Sequence, residues 1–103
     1  MALMQITIIP MGTPTASVGQ YVADIQELLA NKGVDYELQD MGTVIYADVA
    51  ELLLLATEIH EHPFTKGATR VVTNIVIDDR RDKNRGIGDK KNAVVKILKE
   101  RGR

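Results

Sequence analysis

The densest run of reactive side chains in the sequence is Asp78-Asp79-Arg80-Arg81-Asp82-Lys83-Asn84-Arg85. Arg80, Arg81, Lys83 and Arg85 have the chemistry to hold a phosphate, and a helix start just downstream adds backbone N–H groups. The run also has a weak likeness to a nucleic-acid patch. Its aspartates, Asp78 first among them, repel a phosphate backbone, and no aromatic is interleaved for stacking. An ion-pair network within the chain or across a subunit boundary is the reading favoured here. His60 and His62, with Glu58 and Glu61, invite a metal. Helical neighbours two apart point roughly 200° from each other, so this pair does not close on one ion, and surface histidines are expected. Neither GxSxG, HExxH, CxxC nor a Walker motif occurs, and Gly86-Ile87-Gly88-Asp89-Lys90-Lys91 lacks the spacing of a phosphate loop. No nucleophile stands beside a base. The expectation is no catalysis, no cofactor and no metal.

The chain has 103 residues, 45% hydrophobic and 26% charged. That predicts one domain over residues 1–103, able to bury about two-thirds of its unfolded surface. With no cysteine there is no disulfide and no thiolate chemistry, which suits a reducing compartment. No apolar run approaches roughly 18 residues, and the start lacks the basic and apolar regions of a signal peptide. A soluble cytoplasmic protein with no membrane partner is expected. The net charge of −1 hides an asymmetry. Residues 1–62 hold one cation and nine acids (net −8), and residues 63–103 hold twelve cations and five acids (net +7). Such halves form either solvated faces or patches that attract copies of the same chain.

Met4 to Ile9 alternates as a strand, ended by Pro10 and Gly12-Thr13-Pro14. Ser17 and Gln20 have the spacing of a capping box. Val18, Tyr21, Val22, Ile25, Leu28 and Leu29 follow at helical spacing, and Gly33 supplies a C-cap. Val34 to Gln39 predicts a second strand with one wet face, and Thr43 to Tyr46 a short third. Asp48 with Glu51 opens a second helix through Leu52 to Ile59, which Pro63 should kink or shorten. Arg70 to Ile77 predicts a fourth strand. A final helix, capped by Asp89, is expected to carry Val94, Ile97 and Leu98 inward.

The order β-α-β-β-α-β-α predicts an α+β fold, the ferredoxin-like split β-α-β sandwich with a four-stranded antiparallel sheet plus a C-terminal helix. Its central strands, read as the first and fourth, carry no aromatic, so no nucleic-acid partner is expected. By alternation Leu3, Ile9, Val72 and Val76 point away from the helices, and Leu54 and Leu55 widen the apolar arc of the second helix. This surplus predicts a homo-oligomer. On the helix-facing layer, Thr73 interrupts Val71, Ile75 and Ile77, and Thr43 joins it if the third strand faces the same way. Either each hydroxyl bonds a nearby carbonyl, or the two border a small pocket that orients a flat ligand.

Ile8-Ile9-Pro10-Met11-Gly12-Thr13, Ser17, Tyr21-Val22-Ala23, Tyr36-Glu37-Leu38, Met41-Gly42-Thr43-Val44-Ile45, Arg70-Val71-Val72-Thr73 and Ile77-Asp78-Asp79-Arg80-Arg81-Asp82-Lys83 together resemble the small thiamine-binding protein family. The resemblance covers nearly the whole chain. It implies a ferredoxin-like domain, dimers pairing into tetramers through bare sheet faces, no catalysis, and binding of thiamine or its hydroxymethyl-pyrimidine half. It also implies a pocket using Ile8 and Thr43. An aminopyrimidine offers an amino donor and ring-nitrogen acceptors, which Thr43 and Thr73 can meet, while Tyr21, Met11 and Met41 supply flat or soft walls. The expected pocket is therefore bordered by Ile8, Tyr21, Thr43 and Thr73, and a thiazolium cation favours the acidic half. The competing expectations are a structural or regulatory oligomer without a small ligand, and a phosphate-directed activity through Arg80–Arg85.

Overall fold

The computed structural model describes residues 1–12 and 18–103, so the expected Ser17 cap lies outside the described residues. In chain order the elements are β1 (Ala2–Met11), α1 (Gly19–Lys32), β2 (Asp35–Gln39), β3 (Gly42–Ala47), α2 (Val49–Thr65), β4 (Arg70–Asp78) and α3 (Asp89–Glu100). The strands form one antiparallel sheet in the order β2-β3-β1-β4. This is the ferredoxin-like α+β fold with an added C-terminal helix. Among the described residues no helix is long and apolar enough to cross a membrane.

Period-two alternation in β1 sends Ala2, Met4, Ile6 and Ile8 to one face. There they meet Ile45 and Ala47 of β3, Ile25 and Leu29 of α1, and Leu52, Leu55, Ala56 and Ile59 of α2. The register carries the same layer across to Val71, Thr73, Ile75 and Ile77 on β4 and to Tyr36 and Leu38 on β2. The opposite face carries Leu3, Ile9, Val44, Tyr46, Val72 and Val76, with Asp35 and Glu37 along the β2 edge. Gly33 closes α1 in the left-handed conformation, its N–H donating to the Ala30 carbonyl at 3.2 Å.

Several expectations need correction. The inner strands are β1 and β3, because the α2 crossover returns the chain to the far side of β1 and leaves β4 at an edge. One aromatic, Tyr46, therefore stands on an inner strand. Pro10 lies inside β1, which runs on to Met11. Past Ile6 that strand has no β3 partner, so an edge position tolerates the missing N–H. Asp48 does occupy the N-cap of α2, but its carboxylate makes no capping bond and instead sits 3.8 Å from the amino terminus. Helix α2 is not shortened at Pro63 but continues to Thr65, with the Ile59 carbonyl losing the N–H it would otherwise accept from. Helix α3 is capped by Gly88, and Asp89 accepts a 2.7 Å bond from the Gly86 N–H. None of its residues is buried, and Val94, Ile97 and Leu98 are 55%, 46% and 41% exposed. Periodicity locates an apolar stripe but says nothing of what covers it.

The β2–β3 turn depends on a close approach. A Cβ on Gly42 meets the Thr7 hydroxyl at 2.7 Å and the Ile6 carbonyl oxygen at 3.0 Å. Gly42→Ala is expected to lower stability by about 1–3 kcal/mol, as overpacking against backbone does. Urea unfolding checks this, and a midpoint unchanged from the parent refutes the crowding.

Candidate functional site

Strand β1 pairs with β3 over Ala2↔Ala47 to Ile6↔Thr43, but with β4 as far as Met11↔Arg70. Beyond Ile6 the helix-facing layer thus loses its neighbour on the β3 side. A cavity of about 300 Å³ opens there, at the lower end of ligand-sized pockets. Ile6 and Ile8 form its floor, Val22, Ile25 and Gln26 of α1 and Ile59 of α2 its wall, and Leu38 to Gly42 its rim. Thr7 Oγ1 donates to the Met41 carbonyl at 2.8 Å and pins that rim to β1.

The polar chemistry of the cavity is concentrated on Gln26 and Thr43. Gln26 Nε2 donates to Thr43 Oγ1 at 3.1 Å, which leaves the threonine's own hydrogen free to donate. Gln26 Oε1 is buried without a hydrogen-bond partner among the described residues. An unpaired buried acceptor costs about 1–3 kcal/mol, so its place in a cavity wall marks where a donor belongs. Thr43 is 5% exposed and belongs to this layer because the β1 register sets it opposite Ile6.

Of the expected border residues, Ile8 and Thr43 line this cavity and Tyr21 and Thr73 do not. Tyr21 is buried on α1 away from it. Thr73 pairs with Ile8 on the β4 side of β1, so a whole strand separates it from Thr43. Its hydroxyl shares a 2.7 Å bond with Nδ1 of His60, whose ring meets Phe64 edge-on at 5.7 Å. Neither histidine is a plain surface residue. His62 Nε2 lies 2.8 Å from Asp24, so the two imidazoles tie α2 to β4 and to α1 respectively. Sequence reasoning missed Gln26. Its signal was a polar residue one turn after Val22 and one turn before Leu29, inside the apolar stripe of α1.

In the charged segment, Arg80 Nε donates to Asp82 at 2.7 Å and Arg81 to Asp79 at 2.8 Å, and Lys90 pairs with Asp78. These arginines are engaged within the chain. Lys83 makes no ion pair among the described residues.

A four-stranded antiparallel sheet covered by two helices, with a cavity at the open end of one strand pair, defines a small ferredoxin-like α+β protein. The thiamine-binding protein family model matches residues 4–95, and the chain belongs to that family. It is 45% identical to a UPF0045 protein of Staphylococcus xylosus, over 99% of each chain. It is 46% identical to the UPF0045 protein YqgV of Bacillus subtilis, over 95% of this chain and 98% of that one. Among solved structures, a hypothetical protein of Methanocaldococcus jannaschii superposes with a TM-score of 0.80 at 32% identity, covering 90% of this chain and 94% of that one. A Thermotoga maritima protein named for a suggested role in thiamine biosynthesis or salvage shares the fold, with a TM-score of 0.72 at 17% identity over 90% and 97% of the two chains.

Hydrogen bonds from Arg81 and Arg80 hold the Asp79 and Asp82 carboxyls below the usual carboxylate range. Their contribution to stability is therefore present above that range and lost as pH falls through the lowered values. Both groups lie at the surface, so the readout is site-specific titration. Carboxyl NMR shifts at low ionic strength are expected to titrate lower than in model peptides, and to move back up in about 1 M salt as screening grows. Ordinary midpoints at low salt refute the pairing.

Proposed function

We propose that the chain binds thiamine, or the aminopyrimidine half of it, and does so as a carrier or reservoir without chemical turnover. The observation that carries this reading is the unpaired Gln26 Oε1 beside the Thr43 hydroxyl. An aminopyrimidine presents an N–H next to a ring nitrogen. Gln26 Oε1 can accept from the amino group while Thr43 Oγ1 donates to the ring nitrogen. Ile6, Ile8, Val22 and Ile59 supply apolar area against the flat ring. Hydroxyl and amide groups orient a ring by hydrogen bonds, which suits holding and release. Membership of the thiamine-binding family supports the ligand class, as does the suggested thiamine role of the Thermotoga maritima neighbour.

Titration calorimetry with thiamine and with hydroxymethyl-pyrimidine tests the reading. Thr43→Val keeps the side chain's shape and removes the donor, so affinity is expected to fall by roughly 1–3 kcal/mol, about five- to a hundredfold. The strand should still form, because valine suits it, but stability is expected to fall by about 1–3 kcal/mol as Gln26 Nε2 loses its acceptor. No heat of binding from the parent protein with either compound defeats the proposal. Equal affinity in the variant leaves Thr43 structural.

A second reading, an oligomer acting through protein contacts, has its own observation. A 12-residue helix is marginal alone, yet α3 buries nothing and exposes an apolar stripe, while Val76 is 64% exposed on the uncovered sheet face. We infer that copies of the chain cover both surfaces and assemble as a tetramer, a dimer of dimers. Light scattering at micromolar concentration is expected to give four times the chain mass. A stable monomer rules the assembly out.

A further inference from the structure

We propose that Asp40 makes the cavity selective by charge, favouring a flat amine that carries a positive charge and turning away the phosphorylated form of the same ligand. The proposal rests on the reading of the cavity as a thiamine-type site and deepens it. Asp40 is the one ionisable side chain among the described residues that line the cavity. No lysine, arginine or histidine lines it, and residues 13–17 contain none either. The Asp40 carboxylate makes no ion pair among the described residues. A cavity mouth with a single unneutralised charge takes the sign of that charge. Because Asp40 is exposed at the rim, its field reaches the mouth through water and is screened by salt.

The placement of the polar groups turns this sign into selectivity. Gln26 and Thr43 hold the pyrimidine at the wall, on the side of α1 and β3. A second ring attached to it then lies toward the rim, where Asp40 follows Gln39 in the turn between β2 and β3. A thiazolium ring there brings its cation to the carboxylate. A phosphate on that ring brings an anion, and phosphate recognition needs convergent cations or charge-assisted donors. The arginines that have this chemistry do not line the cavity, and two of them are paired, Arg80 with Asp82 and Arg81 with Asp79. Like charges brought together at a binding site exclude the wrong ligand.

Calorimetry with three compounds separates the terms in a mildly alkaline buffer: uncharged hydroxymethyl-pyrimidine, cationic thiamine, and anionic thiamine diphosphate. Thiamine is expected to bind at least about tenfold more tightly than the diphosphate. Asp40→Asn should weaken thiamine about two- to fivefold, the scale of an exposed ion pair. The same variant should leave hydroxymethyl-pyrimidine unchanged and narrow the gap to the diphosphate. In the parent protein, added salt should weaken thiamine and spare hydroxymethyl-pyrimidine, a readout that needs no variant. Diphosphate binding equal to or tighter than thiamine overturns the proposal. So does an Asp40→Asn variant that shifts all three compounds alike, or thiamine affinity indifferent to salt. If none of the three binds the parent, the thiamine-type reading itself fails and the selectivity falls with it.

Discussion

The arrangement turns on unequal pairing of one strand. Strand β1 is long enough to serve β4 over its whole length, yet β3 reaches only as far as Ile6. The shortfall leaves Ile8 on the helix-facing layer with no neighbour on the β3 side. A sheet continued there would present a closed apolar surface to α1. Ending β3 early instead produces a recess whose floor is strand, whose wall is helix and whose rim is the β2–β3 turn. The tight approach of Gly42 to Thr7 and Ile6 lets that turn fold close against β1. Its closeness keeps the recess small and its edge well defined.

Unequal covering also governs the two faces of the sheet. Helices α1 and α2 bury the middle of one layer, with Met4, Leu29, Ile45, Leu52 and Ile59 essentially free of solvent, while Leu38 and Ile75 on the outer strands stay exposed. The other layer and the stripe on α3 share the problem of apolar surface without a neighbour inside the chain. His60 and His62 belong to the first arrangement. Each binds a partner on a different element, so they lock α2 in place between α1 and β4. That lock occupies the Thr73 hydroxyl, which would otherwise be the more obvious polar group on the layer.

Much of this was legible in the residues, and the limits have physical causes. Alternation in Leu3 to Ile9 and in Val71 to Ile77 assigns faces, because the side-chain period of a strand is fixed. Gly33 marks the end of α1 for the same kind of local reason. Thr43 could be placed on the covered layer once Ile45 was. The separation of Thr43 from Thr73 is a matter of strand order, and neither composition nor spacing encodes which edge β4 takes. Gln26 was readable as a polar break in an apolar stripe, but its unpaired oxygen depends on where β3 ends. Helix α3 looked like any core-facing helix, because its stripe has the same period whether its cover lies in the chain or outside it.

The charge asymmetry gains a structural meaning from these placements. Every lining residue of the cavity falls between Ile6 and Ile59, inside the acidic part of the chain. The basic part supplies β4, the paired arginine segment and α3. Had the cations been dispersed, some would be expected near the recess, and a phosphate would find donors there. Their confinement to the segment from Lys66 onward, save Lys32, leaves none on the cavity lining. Lys90 and Lys91 of α3 come no nearer than a neighbouring recess that shares Gln39 with its rim. Arg80 and Arg81 pair with their neighbouring aspartates, so part of the basic charge is met within the segment. Segregation of charge along the sequence becomes segregation of roles in space, with the recess under an acidic influence and the uncovered helix under a basic one.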